Sequence, residues 1–162
     1  MEYTMDSLHN VAYFVGALAS ACEKNLGTGS LSICALAGKK FGAEVMEGCD
    51  ATTDPIKAVE ILREALGRKG IVWEFEPFIG SGDTNSGQNG AGTKIRLVFS
   101  TCMVRNALFR YSHEQKQSLC YMAHGVFAGA MEKVLPNFKA TLEIIHAGPN
   151  ACLKELLLEE KK

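Results

Sequence analysis

The chain has little excess of charge of either sign: 17 Lys and Arg stand against 18 Asp and Glu in 162 residues, a formal net charge of -1. With no basic stripe and no RGG-like run, nothing supplies the electrostatic footprint that holds a nucleic acid directly. Long hydrophobic runs are missing as well. The most apolar stretch, "VAYFVGALASAC", extends only from Val11 to Cys22, short of the roughly 20 residues that a membrane-spanning helix needs. It also lacks the Lys or Arg that precedes a secretory apolar region: Glu2 and Asp6 come before it, and the first basic residue is Lys24. The stretch is therefore predicted to be a buried first helix in a cytoplasmic protein with no membrane segment. In that compartment the six cysteines, Cys22, Cys34, Cys49, Cys102, Cys120 and Cys152, stay reduced. They are then buried small residues, metal ligands or reactive thiols, and not a disulfide framework.

What the chain does have is a globular composition, 47% apolar and 22% charged. Its length suffices to bury about 70% of the unfolded surface without a metal or a disulfide, so any metal adds to a core that already works. No linker or low-complexity segment divides residues 1–162, which read as one domain.

Periodicity gives the elements. Leu8, Val11, Phe14, Val15, Leu18 and Cys22 make a helical face ended by the glycines at Gly27 and Gly29. In the next helix, "SLSICALAGKKFGAEVM", Gly38 and Gly42 lie four apart on one face, a spacing that lets another element come close. Asp54 caps a third helix with Pro55 at its first position. "IVWEFEPF" and "KIRLVFS" alternate as half-buried strands. The glycine-rich "IGSGDTNSGQNGAGT" between them is followed by a strand. A phosphate cradle needs a helix there, so the segment reads as a long hairpin loop, with the option of a lid. A helical region with a break near Ser112 follows, carrying Gly125 and Gly129 at the same four-residue spacing. "NFKATLEIIH" and "CLKELLLEE" form a second hairpin around the turn "AGPN". Residues 1–70 thus supply N-terminal helices, and 71–162 a hairpin, helices and a C-terminal hairpin. The sum is an α+β fold, with helices packed on a four-stranded antiparallel sheet.

Chemistry concentrates in "LEIIHAGPNAC", which places Glu143, His146 and Cys152 around the second turn. Zinc takes such donors, and a structural site is a closed tetrahedron. The leading fourth ligand is Cys120, on the helix that must pack against this hairpin. His124, one turn along from Cys120, and Cys102, at a strand end, are rival ligands. Taken singly, each residue has a plainer role: a solvated carboxylate, a surface histidine or a buried thiol. The spacing matches no zinc finger.

On these residues the segment from about Val98 to Leu158 resembles a 4-vinyl reductase domain, a type similar in fold to certain subunits of the vesicle-tethering (TRAPP) complexes. Its marks are Cys102 in "STCMV", Cys120 in "SLCYMAHGVFAGAME", and Glu143, His146 and Cys152 in the last hairpin. Met103 stands where the family has proline, and His146 where it more often has cysteine. "LAGKKFGAE" is similar to the Gly-rich helix that precedes the domain in related proteins. The resemblance implies a domain that binds hydrophobic small molecules, as in aromatic-sensing bacterial activators, with a structural zinc at Cys120, Glu143, His146 and Cys152. Trp73, Phe75, Phe99, Met122 and Phe127 are the expected ligand-lining residues, by size and facing, although each also suits core packing.

Two other readings stay open. An enzyme could use an open zinc position with Glu143 as base, or Cys102 as a nucleophile beside His113. No oxyanion-hole loop and no HExxH motif accompanies either. A purely interacting subunit would use the apolar first helix as a homodimer face, and a homodimer is expected in any case because Val11 to Cys22 is more apolar than a surface helix requires.

Overall fold

In a computed structural model of the chain, residues 5–78, 92–102, 104–105 and 115–161 are described. Among them α1 (Met5–Leu26), α2 (Gly29–Val45) and α3 (Pro55–Arg68) precede β1 (Trp73–Pro77) and β2 (Thr93–Cys102), and α4 (Ser118–Val134) precedes β3 (Phe138–Ala147) and β4 (Cys152–Glu160). The strands form one antiparallel sheet in the order β1-β2-β4-β3. The two hairpins are therefore joined through β2 and β4. This is the expected α+β architecture. The glycine-rich hairpin segment, the break near Ser112, Met103 and His113 lie outside the described residues, apart from Gly92 and Thr93.

Alternation fixes the faces of the sheet. Trp73 and Phe75 on β1, Ile95, Leu97 and Phe99 on β2, Ala140 and Leu142 on β3, and Cys152, Lys154, Leu156 and Leu158 on β4 are buried. They form the inner face, with α3 against β1 and α4 against β3. The outer face carries the polar pairs: Glu155 pairs with Lys94 at 3.2 Å and Arg96 at 3.7 Å, and Thr101 Oγ1 donates to Glu74 at 2.6 Å.

Helix α3 starts as its sequence demands, with Asp54 Oδ1 accepting from the amides of Ile56 (2.8 Å) and Lys57 (3.3 Å). The cap of α4 comes from far away in the chain. Gln117 at its N-cap position makes no side-chain cap bond, and Glu23 of α1 instead accepts from the Ser118 amide at 3.0 Å and from the Ser118 hydroxyl. A carboxylate at a helix N-terminus suits both the free amides and the macrodipole.

Helices α2 and α4 pack backbone to backbone. A Cβ at Gly38 or Gly42 would lie 2.0 Å from the carbonyl oxygen of Met122 or Val126, and one at Gly125 or Gly129 would lie 2.0 or 1.9 Å from that of Ala35 or Lys39. The four-residue spacings in the two helices are thus halves of one contact.

Helix α1 departs from expectation. Among its described side chains only Ala19 is buried, and Val11, Phe14 and Leu18 are 60%, 69% and 55% exposed. Among the described residues the helix rests mainly on α2 and α4. Among the described residues, the side chains of Val11, Phe14, Val15 and Leu18 are thus exposed where burial was predicted.

Candidate functional site

The expected zinc ligands divide between the two faces of the sheet. Glu143 is exposed and opposite Glu155, and His146, beyond a register shift after Ile144, is exposed and opposite Leu153. Both follow the outer-face parity. Cys152 is buried on the inner face, and Cys120 is partly buried on α4. Among the described residues no group of three or more His, Cys, Asp or Glu could hold a metal ion. The described residues thus do not bring Cys120, Glu143, His146 and Cys152 together as one group. Bringing Glu143 inward would take a one-residue slip of β3, which would turn Ala140 and Leu142 out of the core.

Of the rival ligands, Cys102 is buried at the end of β2, opposite Trp73. Cys102, Cys120 and Cys152 interact electrostatically with Lys154, which is only 3% exposed. Burial pushes the Cys120 thiol up from its ordinary value, with the Lys116 backbone and Lys154 opposing. Burial also lowers the Lys154 ammonium, while the three cysteines oppose that shift and Arg105 adds to it.

The aromatic residues expected around a ligand pack largely on one another. Phe127 meets Phe75, Phe99 and Trp73 at centroid distances of 4.8, 5.2 and 5.7 Å, and all four rings are buried. Trp73 and Phe75 also border a cleft of about 550 Å³ beside the end of α3. Met122 is 37% exposed, unlike the four buried rings.

A larger cleft, of about 730 Å³, opens between α2, α4 and β3. Ser32, Ala35, Leu36 and Lys39 line it from α2, and Tyr121, His124, Gly125 and Ala128 from α4, both at the i, i+3, i+4, i+7 spacing of a single helical stripe. Residues 140–144 of β3 supply its third wall. One carboxylate ties the walls together: Glu132 of α4 binds Lys39 of α2 at 2.8 Å and accepts from the Ala140 amide of β3 at 3.3 Å. Ala128 leaves room that a larger side chain would fill, while Gly125 lets α2 and α4 meet backbone to backbone at the cleft's floor.

His124 supplies the cleft's distinctive polar group. Its ring lies 5.5 Å from that of Tyr121, and among the described residues its Nε2 is buried without a hydrogen-bond partner. Burial, helped by Lys154, lowers its pKa to about 3. The folded value lies below the unfolded one of about 6.5, so the unfolded chain binds the proton first. Its contribution to stability is whole above that unfolded value and falls as pH drops towards the folded one. At neutral pH the imidazole is uncharged, with one nitrogen to donate and one to accept. Spacing alone marked His124 only as a rival metal ligand; Ala128, a small residue on the same stripe as Tyr121 and His124, is the signal for a cleft.

No protein-family model matches the chain, and no curated protein matches it in sequence. Solved structures do resemble it. The phenol-responsive sensory domain of the transcription activator PoxR, determined with phenol, is similar at a TM-score of 0.60 and 12% identity, over 91% of this chain and 74% of that one. Subunit 3 of a trafficking protein particle complex from Naegleria fowleri, covalently bound to palmitic acid, is similar at a TM-score of 0.55 and 14% identity, over 95% of this chain and 97% of that one. The fold is thus the one shared by an aromatic-sensing domain and a tethering-complex subunit, as the sequence marks implied, while likeness to the 4-vinyl reductase family rests on those marks alone.

Proposed function

We propose that the protein is a binding module for a hydrophobic, aromatic small molecule bearing a hydroxyl, held in the cleft between α2, α4 and β3. The observation that carries this reading is a concave, mainly apolar space with an unsatisfied neutral imidazole at its wall. Its size falls in the range of roughly 300–1,000 Å³ typical of small-molecule sites. The ligand's ring packs on Ala35, Leu36 and Ala128, and its hydroxyl completes the hydrogen bonding of His124. Phenol in the PoxR sensory domain supports the ligand class, and palmitic acid on the tethering subunit supports an apolar one more broadly.

The test is calorimetric titration with phenol and alkylphenols, on the natural protein and on His124→Leu. Losing one hydrogen bond in a desolvated site costs about 1–1.5 kcal/mol, so affinity falls roughly tenfold. Because the imidazole stays neutral, affinity for a neutral phenol is the same at pH 5.5 and pH 8. Equal affinity in the variant would remove His124 from the site.

The same proposal includes homodimerisation through α1. Val11, Phe14, Val15 and Leu18 form an exposed apolar stripe on this helix, and a second copy would cover it. Light scattering should give twice the chain mass for the natural protein and the chain mass for Phe14→Glu with Leu18→Glu. A natural protein of single-chain mass at about 100 μM contradicts this part, since interfaces of standard size hold far below that concentration. A cytoplasmic location belongs to the proposal too, as the compartment in which six free thiols persist.

A further inference from the structure

Among the described residues two buried side-chain polar atoms lack a hydrogen-bond partner, Nε2 of His124 and the indole Nε1 of Trp73, and each of these residues borders a cleft. We propose that the second cleft, between the end of α3 and β1, is a separate site for a small organic carboxylate with an apolar body, its oxygens accepting from the Trp73 indole and the Arg63 guanidinium.

Three observations carry the proposal. Trp73 is 5% exposed, and its ring nitrogen can only donate, so the group that completes it must bring an acceptor. A buried donor left unpaired has given up its hydrogen bond to water for nothing, which folded proteins seldom leave without a purpose. Arg63 lines the same cleft from α3, is exposed, and makes no ion pair among the described residues. Its planar fork of donors matches a carboxylate. The third observation is space. Gly67, one turn along from Arg63, and Gly70 bring no side chain into the cleft, and a Cβ at either would meet nothing within 4 Å. Because β1 lies at the sheet edge and pairs only with β2 among the described residues, no further strand closes this side. Ile71, Val72 and Phe75 give the cleft its apolar surface, which suits a ring or an alkyl body.

The sign of the ligand's charge follows from the sides of the strand. Glu74 and Glu76 also border the cleft, but the alternation of β1 sets both opposite to Trp73 and Phe75, and the Glu74 carboxylate already accepts from Thr101 at 2.6 Å. On the side of Trp73 the free charged group is Arg63, while Arg68, in the last turn of α3, offsets the negative end of that helix. Two groups that only donate suit the acceptor oxygens of a carboxylate. The neutral imidazole of His124 can donate or accept and suits a hydroxyl, so the two clefts select different ligands.

Trp73 is the one tryptophan of the chain, so its indole N–H gives a single resonance in NMR spectra of isotope-labelled protein. Titration with benzoate, and with cyclohexanecarboxylate, should move that resonance saturably together with the amides of Gly67, Gly70 and Val72, while Tyr121 and His124 stay in place. Arg63→Gln, a change at an exposed helical position, should weaken benzoate by about tenfold or more, and the neutral methyl benzoate should bind the natural protein more weakly by a similar factor, because each removes a hydrogen bond between charged groups. An indole resonance unmoved by both carboxylates at tens of millimolar would overturn the proposal. So would an unchanged affinity in Arg63→Gln, equal binding of the methyl ester, or benzoate shifts that gather at Tyr121 and His124 instead of Trp73.

Discussion

Replacing Gly129 with alanine should destabilise the protein by more than about 3 kcal/mol, where the same change in an exposed helix would stabilise it by up to about 1 kcal/mol. The added carbon would lie 1.9 Å from the Lys39 carbonyl oxygen, and its neighbours there are backbone atoms of α2. Backbone cannot rotate away as a side-chain end can, so the helices must separate. That movement would break the contact along its length, because Gly38, Gly42 and Gly125 meet the partner helix in the same way. At roughly 2–4 °C per kcal/mol for a chain of this size, the melting temperature should fall by about 10 °C. Gly16→Ala in α1, where nothing lies within 4 Å of the new carbon, is the control and should melt no lower than the natural protein. Chemical denaturation of both variants checks the sign. A stabilised Gly129→Ala would mean that α2 and α4 do not approach as described.

Phe127→Ala should cost about 4 kcal/mol, the usual range for removing a fully buried aromatic ring. Phe127 is 0% exposed and contacts Trp73, Phe75 and Phe99 together. Its loss would leave a cavity that three rigid rings cannot collapse to fill, and edge-to-face contacts with Phe75 and Phe99 would go with it. Urea unfolding should show a lower midpoint with an unchanged slope. A cost under about 1 kcal/mol would indicate that these rings border an open pocket instead of a packed core.

β1 and β2 were legible because each has a polar face. "WEFEP" and "KIRLVFS" alternate plainly, and "CLKELLLEE" matches β4 at both ends. Asp54 and Pro55 announced α3 for local reasons that no tertiary contact had to override. The facing of Glu143 was legible as well: Leu142 and Ile144 flank it, so an inward apolar pair turns the carboxylate outward. On β4 the signal was weaker, since Leu153, Leu156, Leu157 and Leu158 are apolar on both faces and Lys154 sits among the buried positions. Nothing local says that a lysine rather than a leucine edge points inward. The cleft was harder still. Its stripes on α2 and α4 are each ordinary helical spacing, and only the glycine contact between helices some 90 residues apart in sequence brings Ala35 and Leu36 opposite Tyr121 and His124. The same distance hides the Glu23 cap of Ser118.

The central claim is that a small aromatic molecule occupies the space between α2, α4 and β3. Backbone amide NMR of the labelled protein during titration with phenol measures this residue by residue. Saturable shifts should gather at Ala35, Leu36, Lys39, Tyr121, His124 and Ala128 and along residues 140–144, leaving the α3 end and β1 unmoved. Shifts confined to Trp73, Phe75 and their neighbours, or none at millimolar phenol or any alkylphenol, would contradict the account.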